Sequence, residues 1–152
     1  MKTLDLYKWI AGSMTDFTRP FQREDDEDNL LFNQAKAFWN KLENSGWVII
    51  LLLLVLGISS ALVYYGPYND YPGRRYKPTH WLWFFIGTFI VTFLLTLGAE
   101  YIMVTPKLDG ALMLEVKIAL GNALYALILF VLTSFILCNT GFKTNAYRYF
   151  KI

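Results

Sequence analysis

The sequence predicts an all-α integral membrane protein, with three transmembrane helices preceded by two amphipathic interfacial helices. Three long apolar runs follow residue 46, and each can cross a hydrocarbon core of about 30 Å as a helix. Most acidic residues precede residue 47, and aromatic residues flank the apolar runs, as is typical of membrane–water interfaces. The chain therefore divides into an N-terminal amphipathic and acidic region (1–46), a three-helix transmembrane domain (47–138) and a basic-aromatic C-terminal tail (139–152).

The composition disfavours several classes of function. The net charge of +2 gives no basis for nucleic-acid binding. With one cysteine, Cys138, and one histidine, His80, the chain cannot form an internal disulfide and offers no ligand set for zinc. We therefore expect no cofactor and no metal. No cleavable signal peptide is predicted, so the first transmembrane helix is expected to serve as the targeting signal.

Two amphipathic helices are predicted before the first span. Residues 3–17 place Leu6, Trp9, Ile10, Met14 and Phe17 at helical spacing, which favours a helix that docks on a membrane surface or partner over one that covers a small soluble cap. The acidic run 23–29 is expected to be a solvated linker. A second helix over 30–44 is expected to lie in the interface and to be broken by residues 44–46.

The three spans are predicted at about 47–65, 81–104 and 114–138. The small residues of the first span would let another helix approach closely. Aromatic rings favour the interface at span ends and on the preceding helix. The predicted interfacial aromatics are Trp39, Trp47, Tyr65, Trp81 and Trp83.

Basic residues gather in the loop 66–80 and in the tail. Three prolines and two glycines exclude a regular helix or a central strand in the loop, so an interfacial hairpin is expected, with a docking epitope as the alternative. The predicted headgroup or partner contacts are Arg74, Arg75, Lys77, Lys143, Arg148 and Lys151. These six basic residues lie on the same predicted side of the membrane as the C-terminus, whereas four basic residues near the spans lie on the opposite side. The excess favours a cytoplasmic C-terminus. When the more distant basic residues of the N-terminal region are included, the opposite side of the membrane has the excess of positive charge.

A few polar residues lie inside the spans. Glu100 and Asn122 are predicted to make helix–helix or intersubunit contacts, because polar groups at membrane depth are rare and seek partners. Lys117 is the expected partner of Glu100 within the chain. Thr88, Thr92 and Thr96 recur every four residues on span two and form a thin polar stripe.

No catalytic motif accompanies these features, so an enzyme is not expected. His80 is at a membrane border, and neither a nucleophile motif nor a phosphate-binding loop is present. The sequence predicts a non-catalytic membrane subunit that anchors or scaffolds a larger, oligomeric assembly, for example a secretion or injection machine. The alternatives are a small homo-oligomeric pore (holin-like or a defence effector) and an immunity or regulatory membrane protein. The expected partners are membrane lipids and other membrane-protein subunits or further copies of the chain, in a bacterial cytoplasmic membrane. No small-molecule substrate is evident.

Overall fold

Three long helices dominate the computed structural model, which describes residues 3–22, 29–68, 77–105, 108–139 and 150. The N-terminal segment, Thr3 to Gln22, contains a 3-10 turn (Thr3–Tyr7), α1 (Lys8–Ala11), α2 (Met14–Thr18) and a second 3-10 turn (Arg19–Phe21). The long helices are α3 (Leu30–Tyr65), α4 (Pro78–Met103) and α5 (Leu112–Asn139). Each of the three is long and apolar enough to cross a membrane. For the described residues, the prediction of an all-helical protein with three such helices is therefore confirmed.

The predicted helix over 3–17 is wrong, because the N-terminal segment bends at Gly12. Gly12 has a φ of 81°, a backbone conformation that favours glycine. The next residue, Ser13, caps α2: its Oγ accepts from the Asp16 N–H, and its own N–H donates to Asp16 Oδ2 at 2.9 Å. Of the residues predicted to form its apolar docking face, Trp9 is 60% exposed, while Tyr7, which lies outside that face, is fully buried.

The predicted helix break at residues 44–46 is also wrong. α3 is one helix of 36 residues, about 54 Å long at 1.5 Å per residue. Ser45 tolerates the helix interior because its Oγ donates to the Lys41 carbonyl at 2.8 Å. A Cβ at Gly46 would collide with the Thr3 side chain. This glycine therefore permits close packing of the N-terminal segment and does not end the helix.

The chain forms two compact units. Unit 1 comprises Met1–Leu51 and Leu94–Asn122, and unit 2 comprises Leu52–Phe93 and Ala123–Ile152. In unit 1, the Phe17 ring lies 6.0 Å from the Phe38 ring and 5.8 Å from the Trp39 ring, measured between centroids. The predicted apolar face of residues 30–44 is thus used to hold the N-terminal segment.

Unit 2 has an aromatic core and one very close helix contact. A Cβ on Gly57 of α3 would lie 2.8 Å from the carbonyl oxygen of Ala126 on α5, so only glycine fits. Nearby, the ring of Trp81 stacks on Phe85 at 5.4 Å and packs against Phe130 at 5.3 Å. Small and flat side chains together let the helices of this unit approach closely.

Three of the five predicted interfacial aromatics are core residues. Trp39, Tyr65 and Trp81 are only 5%, 1% and 8% exposed, so their rings pack against protein. Trp47 and Trp83 are 62% and 69% exposed and can reach lipid. The polar tips explain the difference in part: Tyr65 Oη contacts Cys138 Sγ at 3.2 Å, and Trp81 Nε1 donates to Ser134 Oγ at 3.3 Å. A buried ring whose polar tip has such a partner is stable away from the membrane–water interface.

Candidate functional site: a polar hub and an open cleft

Asn122 connects four elements of unit 1 through one side chain. Its Nδ2 donates to the Ile49 carbonyl of α3 at 3.0 Å and to Thr96 Oγ1 of α4 at 2.7 Å. Its Oδ1 accepts from the Tyr7 hydroxyl at 2.7 Å. We call Tyr7, Ile49, Thr96 and Asn122 the polar hub. Asn122 is fully buried, so three of its four hydrogen-bonding positions are used inside the protein.

The N-terminal segment reaches the polar hub because α5 carries a glycine beside Asn122. A Cβ on Gly121 would lie 3.1 Å from Tyr7 Cδ1 and 3.2 Å from Ile10 Cγ2. Such contacts are tighter than ordinary van der Waals packing, so a larger residue would push the Tyr7 ring away. Gly46 and Gly121 thus provide two flat places, one on α3 and one on α5, on which the N-terminal segment rests.

The polar hub pairs a polar side chain that lies within a strongly apolar helix. Asn122 lies ten residues into α5, about 15 Å from its start, within the predicted third span. A buried amide without partners costs several kcal/mol in hydrocarbon, whereas one bridging three elements stabilises their arrangement. The geometry is that of a structural junction, because no polar atom of the hub faces open space.

Two carboxyl groups of unit 1 are also buried. Glu100, one helical turn beyond Thr96, is 1% exposed, and Glu115, in the first turn of α5, is 3% exposed. Lys117 by contrast is exposed on the surface of α5. The pairing of Glu100 with Lys117 therefore stays a prediction, and the two side chains have different environments.

The polar stripe on α4 points into the protein. Thr88, Thr92 and Thr96 are 4%, 0% and 0% exposed. Thr88 Oγ1 donates to the Phe84 carbonyl at 2.7 Å, and Thr96 is part of the polar hub. Within the described residues, the Thr92 hydroxyl has no hydrogen-bond partner. A single copy of the chain therefore does not present this stripe to its surroundings.

An open cleft of about 600 Å³ lies in unit 1, between the N-terminal segment and the beginning of α5. Trp9, Phe17, Phe21 and Met113 supply much of its apolar lining. Four charged side chains also line it: Lys8, Asp16, Asp109 and Lys117. All four are exposed, so their charges are available to a ligand in this charged cleft.

The electrostatics of the charged cleft are set partly by Ser13. Its side-chain and backbone hydrogen bonds to the Asp16 carboxylate, with smaller contributions from Arg19 and Lys8, hold the pKa of Asp16 below its usual range. Asp16 is therefore fully ionised at neutral pH. The lining thus carries two positive and two negative charges.

Most of the predicted headgroup contacts cannot be placed. Lys77 is exposed immediately before α4. Arg74, Arg75, Lys143, Arg148 and Lys151 lie outside the described residues, as do the run 23–28, the loop 69–76 and nearly all of the tail. Their expected contacts with lipid or protein stay predictions.

The structure adds residues that the sequence did not single out. Tyr7 supplies the hydroxyl of the polar hub, and Thr3 Oγ1 donates to the Glu43 carbonyl at 2.7 Å. Neither lies on the predicted apolar face, and no motif marks them. Among the described residues, no group of three or more histidine, cysteine, aspartate or glutamate side chains could hold a metal ion.

Comparisons with protein families, with characterised proteins and with solved structures find no match to this chain.

Proposed function

We propose that this protein is a non-catalytic membrane subunit that anchors or scaffolds a larger, oligomeric membrane-associated assembly, such as a secretion or injection machine. One observation carries the proposal: the polar hub joins the N-terminal segment to all three long helices. The polar groups of the hub hold the elements of unit 1 together, which suits a structural role. The outward residues of the long helices are largely apolar and remain available to lipid and to other subunits.

The outward faces of the long helices support the same proposal. Val55 of α3, Leu94 of α4 and Ile128 of α5 are 53%, 58% and 54% exposed. In a bilayer such side chains contact acyl chains or neighbouring helices equally well, because both are apolar. A pore would instead need a polar face directed towards partner copies. The threonines of α4 are buried, and for this reason we prefer a scaffold to a pore.

The assembly can be captured by photo-crosslinking in living cells. A photoreactive residue is placed at position 55, 94 or 128, one on each long helix, to test the outward face of that helix. The three native side chains are exposed to nearly the same extent. We expect at least one position to give a product heavier than the 17.6 kDa chain that contains a different membrane protein. Recovery of a single partner protein, in an amount equal to that of this chain, would indicate an immunity or regulatory role. A chain that is monomeric and alone in gentle detergent, with no crosslink at any position, would contradict the proposal.

The pore alternative has its own measurement. Induced expression of a scaffold subunit should leave the membrane potential unchanged, as reported by a potential-sensitive dye. Rapid depolarisation after induction would instead favour a pore. A variant with Thr92 replaced by valine is the matched control, because the change keeps the side-chain shape and removes one polar group of the buried stripe.

We further propose a bacterial cytoplasmic membrane, with the C-terminus in the cytoplasm. The support is the excess of basic residues beside the spans on the side of the tail. A fluorescent protein that matures only in the cytoplasm should fluoresce when it is fused after Ile152. An alkaline phosphatase fused at the same place should be inactive, and the opposite pair of results would reverse the orientation.

A further inference from the structure

The charged cleft has the size of a ligand site and lies beside the beginning of α5. One wall is formed by Asp109 and Gly110 and by the first turns of α5 up to Lys117, where the third apolar span enters the predicted membrane. Trp9 and Met113 in its lining are 60% and 64% exposed, which suits the glycerol region and the first acyl carbons of a lipid. The volume of about 600 Å³ lies within the range of about 300–1,000 Å³ typical of ligand sites.

The charges of the cleft select among membrane lipids. Lys8 and Lys117 can bind a phosphate, while Asp16 and Asp109 can bind an ammonium group. An anionic headgroup would leave the two aspartates opposed to further negative charge. A headgroup with both a phosphate and an amine matches all four side chains.

We propose that the charged cleft binds the headgroup of a zwitterionic, amine-bearing glycerophospholipid such as phosphatidylethanolamine. The lysines hold the phosphodiester and the aspartates hold the ammonium group. The acyl chains leave past Trp9 and Met113 towards the hydrocarbon. This inference depends on the chain being embedded in a membrane and does not depend on a scaffold function, so either can fail alone.

The experiment is native mass spectrometry of the full-length protein purified in detergent. Phosphatidylethanolamine, phosphatidylglycerol and diacylglycerol of identical acyl chains are added in turn at equal concentration. We expect retained phosphatidylethanolamine to exceed phosphatidylglycerol by about fivefold or more, because phosphatidylglycerol lacks the amine, and diacylglycerol, which lacks the phosphate as well, to be retained least. Equal retention of the two phospholipids would overturn the proposal.

Variants of the cleft locate the binding. Lys8→Gln and Lys117→Gln should each lower phosphatidylethanolamine retention about threefold, and the double variant about tenfold. The conservative variants Lys8→Arg and Lys117→Arg should keep most of it. Lys36→Gln is the matched control, because Lys36 is also exposed in unit 1, lies over the Phe32 ring and does not line the cleft.

A steric variant tests the same site without altering charge. Ala11→Trp places a bulky side chain into the cleft lining and should abolish selective retention. The circular dichroism spectrum and the elution volume of each variant show whether it is folded. If folded Lys8→Gln, Lys117→Gln and Ala11→Trp proteins retain phosphatidylethanolamine as the wild type does, the lipid is bound elsewhere and the proposal is wrong.

Discussion

Replacing Gly57 by alanine will lower the stability of the protein, whereas the same replacement at Gly87 will leave it equal or raise it. A Cβ at position 57 would stand 2.8 Å from the Ala126 carbonyl oxygen and 2.9 Å from Leu129 Cβ. The carbonyl belongs to helix backbone and cannot rotate away, so α3 and α5 must separate. We expect a loss of about 1–3 kcal/mol, the usual range for overpacking a well-packed contact.

Gly87 provides the matched control because it makes the same chemical change in the same unit. A Cβ at Gly87 of α4 would meet nothing within 4 Å. Alanine is favoured over glycine in a helix interior by about 1 kcal/mol in water, so the variant should be neutral or slightly stabilised. The comparison separates the effect of helix propensity from that of packing.

The measurement is thermal unfolding of both variants and the wild type in one detergent, followed by circular dichroism. With about 2–4 °C per kcal/mol for a chain of this size, Gly57→Ala should melt several degrees below Gly87→Ala. A larger residue sharpens the test: Gly57→Leu should fail to give a folded protein, while Gly87→Leu should still fold. Equal melting temperatures for the two alanine variants would show that α3 and α5 do not pack at Gly57.

These two glycines illustrate what the sequence can and cannot predict. The three apolar helices follow from the sequence because hydropathy over about 20 residues depends on composition alone. The small residues of the first span indicate that some helix can approach closely. Gly57 and Gly87 nevertheless look alike in the sequence, and only the arrangement of neighbouring helices distinguishes a contact from an open surface.

The N-terminal segment shows a second limit. The apolar periodicity of residues 3–17 predicts one helix, yet Gly12 and the Ser13 cap divide it. Once the helix is divided, the residues that the periodicity assigns to one face no longer share a face. Trp9 is exposed and Tyr7 is buried. Local capping outweighed the hydrophobic pattern here because each helical piece is too short for the pattern to fix its orientation.

The same limit applies to the polar hub. Asn122 could be singled out from the sequence, because an amide in an apolar helix needs a partner. Its partner Tyr7 lies 115 residues away in the chain, on a segment whose predicted apolar face did not include it. The predicted helix break at Gly46 concealed the same relationship, because this glycine lies inside α3, where a Cβ would collide with the Thr3 side chain.

Replacing Asn122 by leucine will release the N-terminal segment and destabilise the protein. The change keeps the approximate size of the side chain and removes all three hydrogen bonds of the polar hub. The Tyr7 and Thr96 hydroxyls then lose their hydrogen bonds to the Asn122 amide, and a buried polar group that loses its partner costs about 1–3 kcal/mol. We expect a total loss of about 2–4 kcal/mol, since interhelical bonds in membranes contribute modestly.

The control separates loss of the polar hub from the general effect of exchanging asparagine for leucine. Asn40 of α3 is exposed in the same unit, so Asn40→Leu should leave the melting temperature nearly unchanged. Tyr7→Phe removes only the hydroxyl and should cost about 0.5–1.5 kcal/mol. The double variant Tyr7→Phe with Asn122→Leu should be destabilised less than the sum of the single variants, because both changes remove the same bond.

Limited proteolysis shows whether the N-terminal segment itself is released. Lys8 is exposed and directly follows Tyr7, so trypsin can cleave after it once the segment detaches. Cleavage there should be about tenfold or more faster in Asn122→Leu than in Asn40→Leu, because a loss of about 1.4 kcal/mol raises the open population tenfold. Cleavage after Lys8 at the wild-type rate, in a variant that is otherwise destabilised, would mean that the glycine contacts alone hold the segment. The polar hub would then stabilise the three helices and not their attachment to the N-terminus.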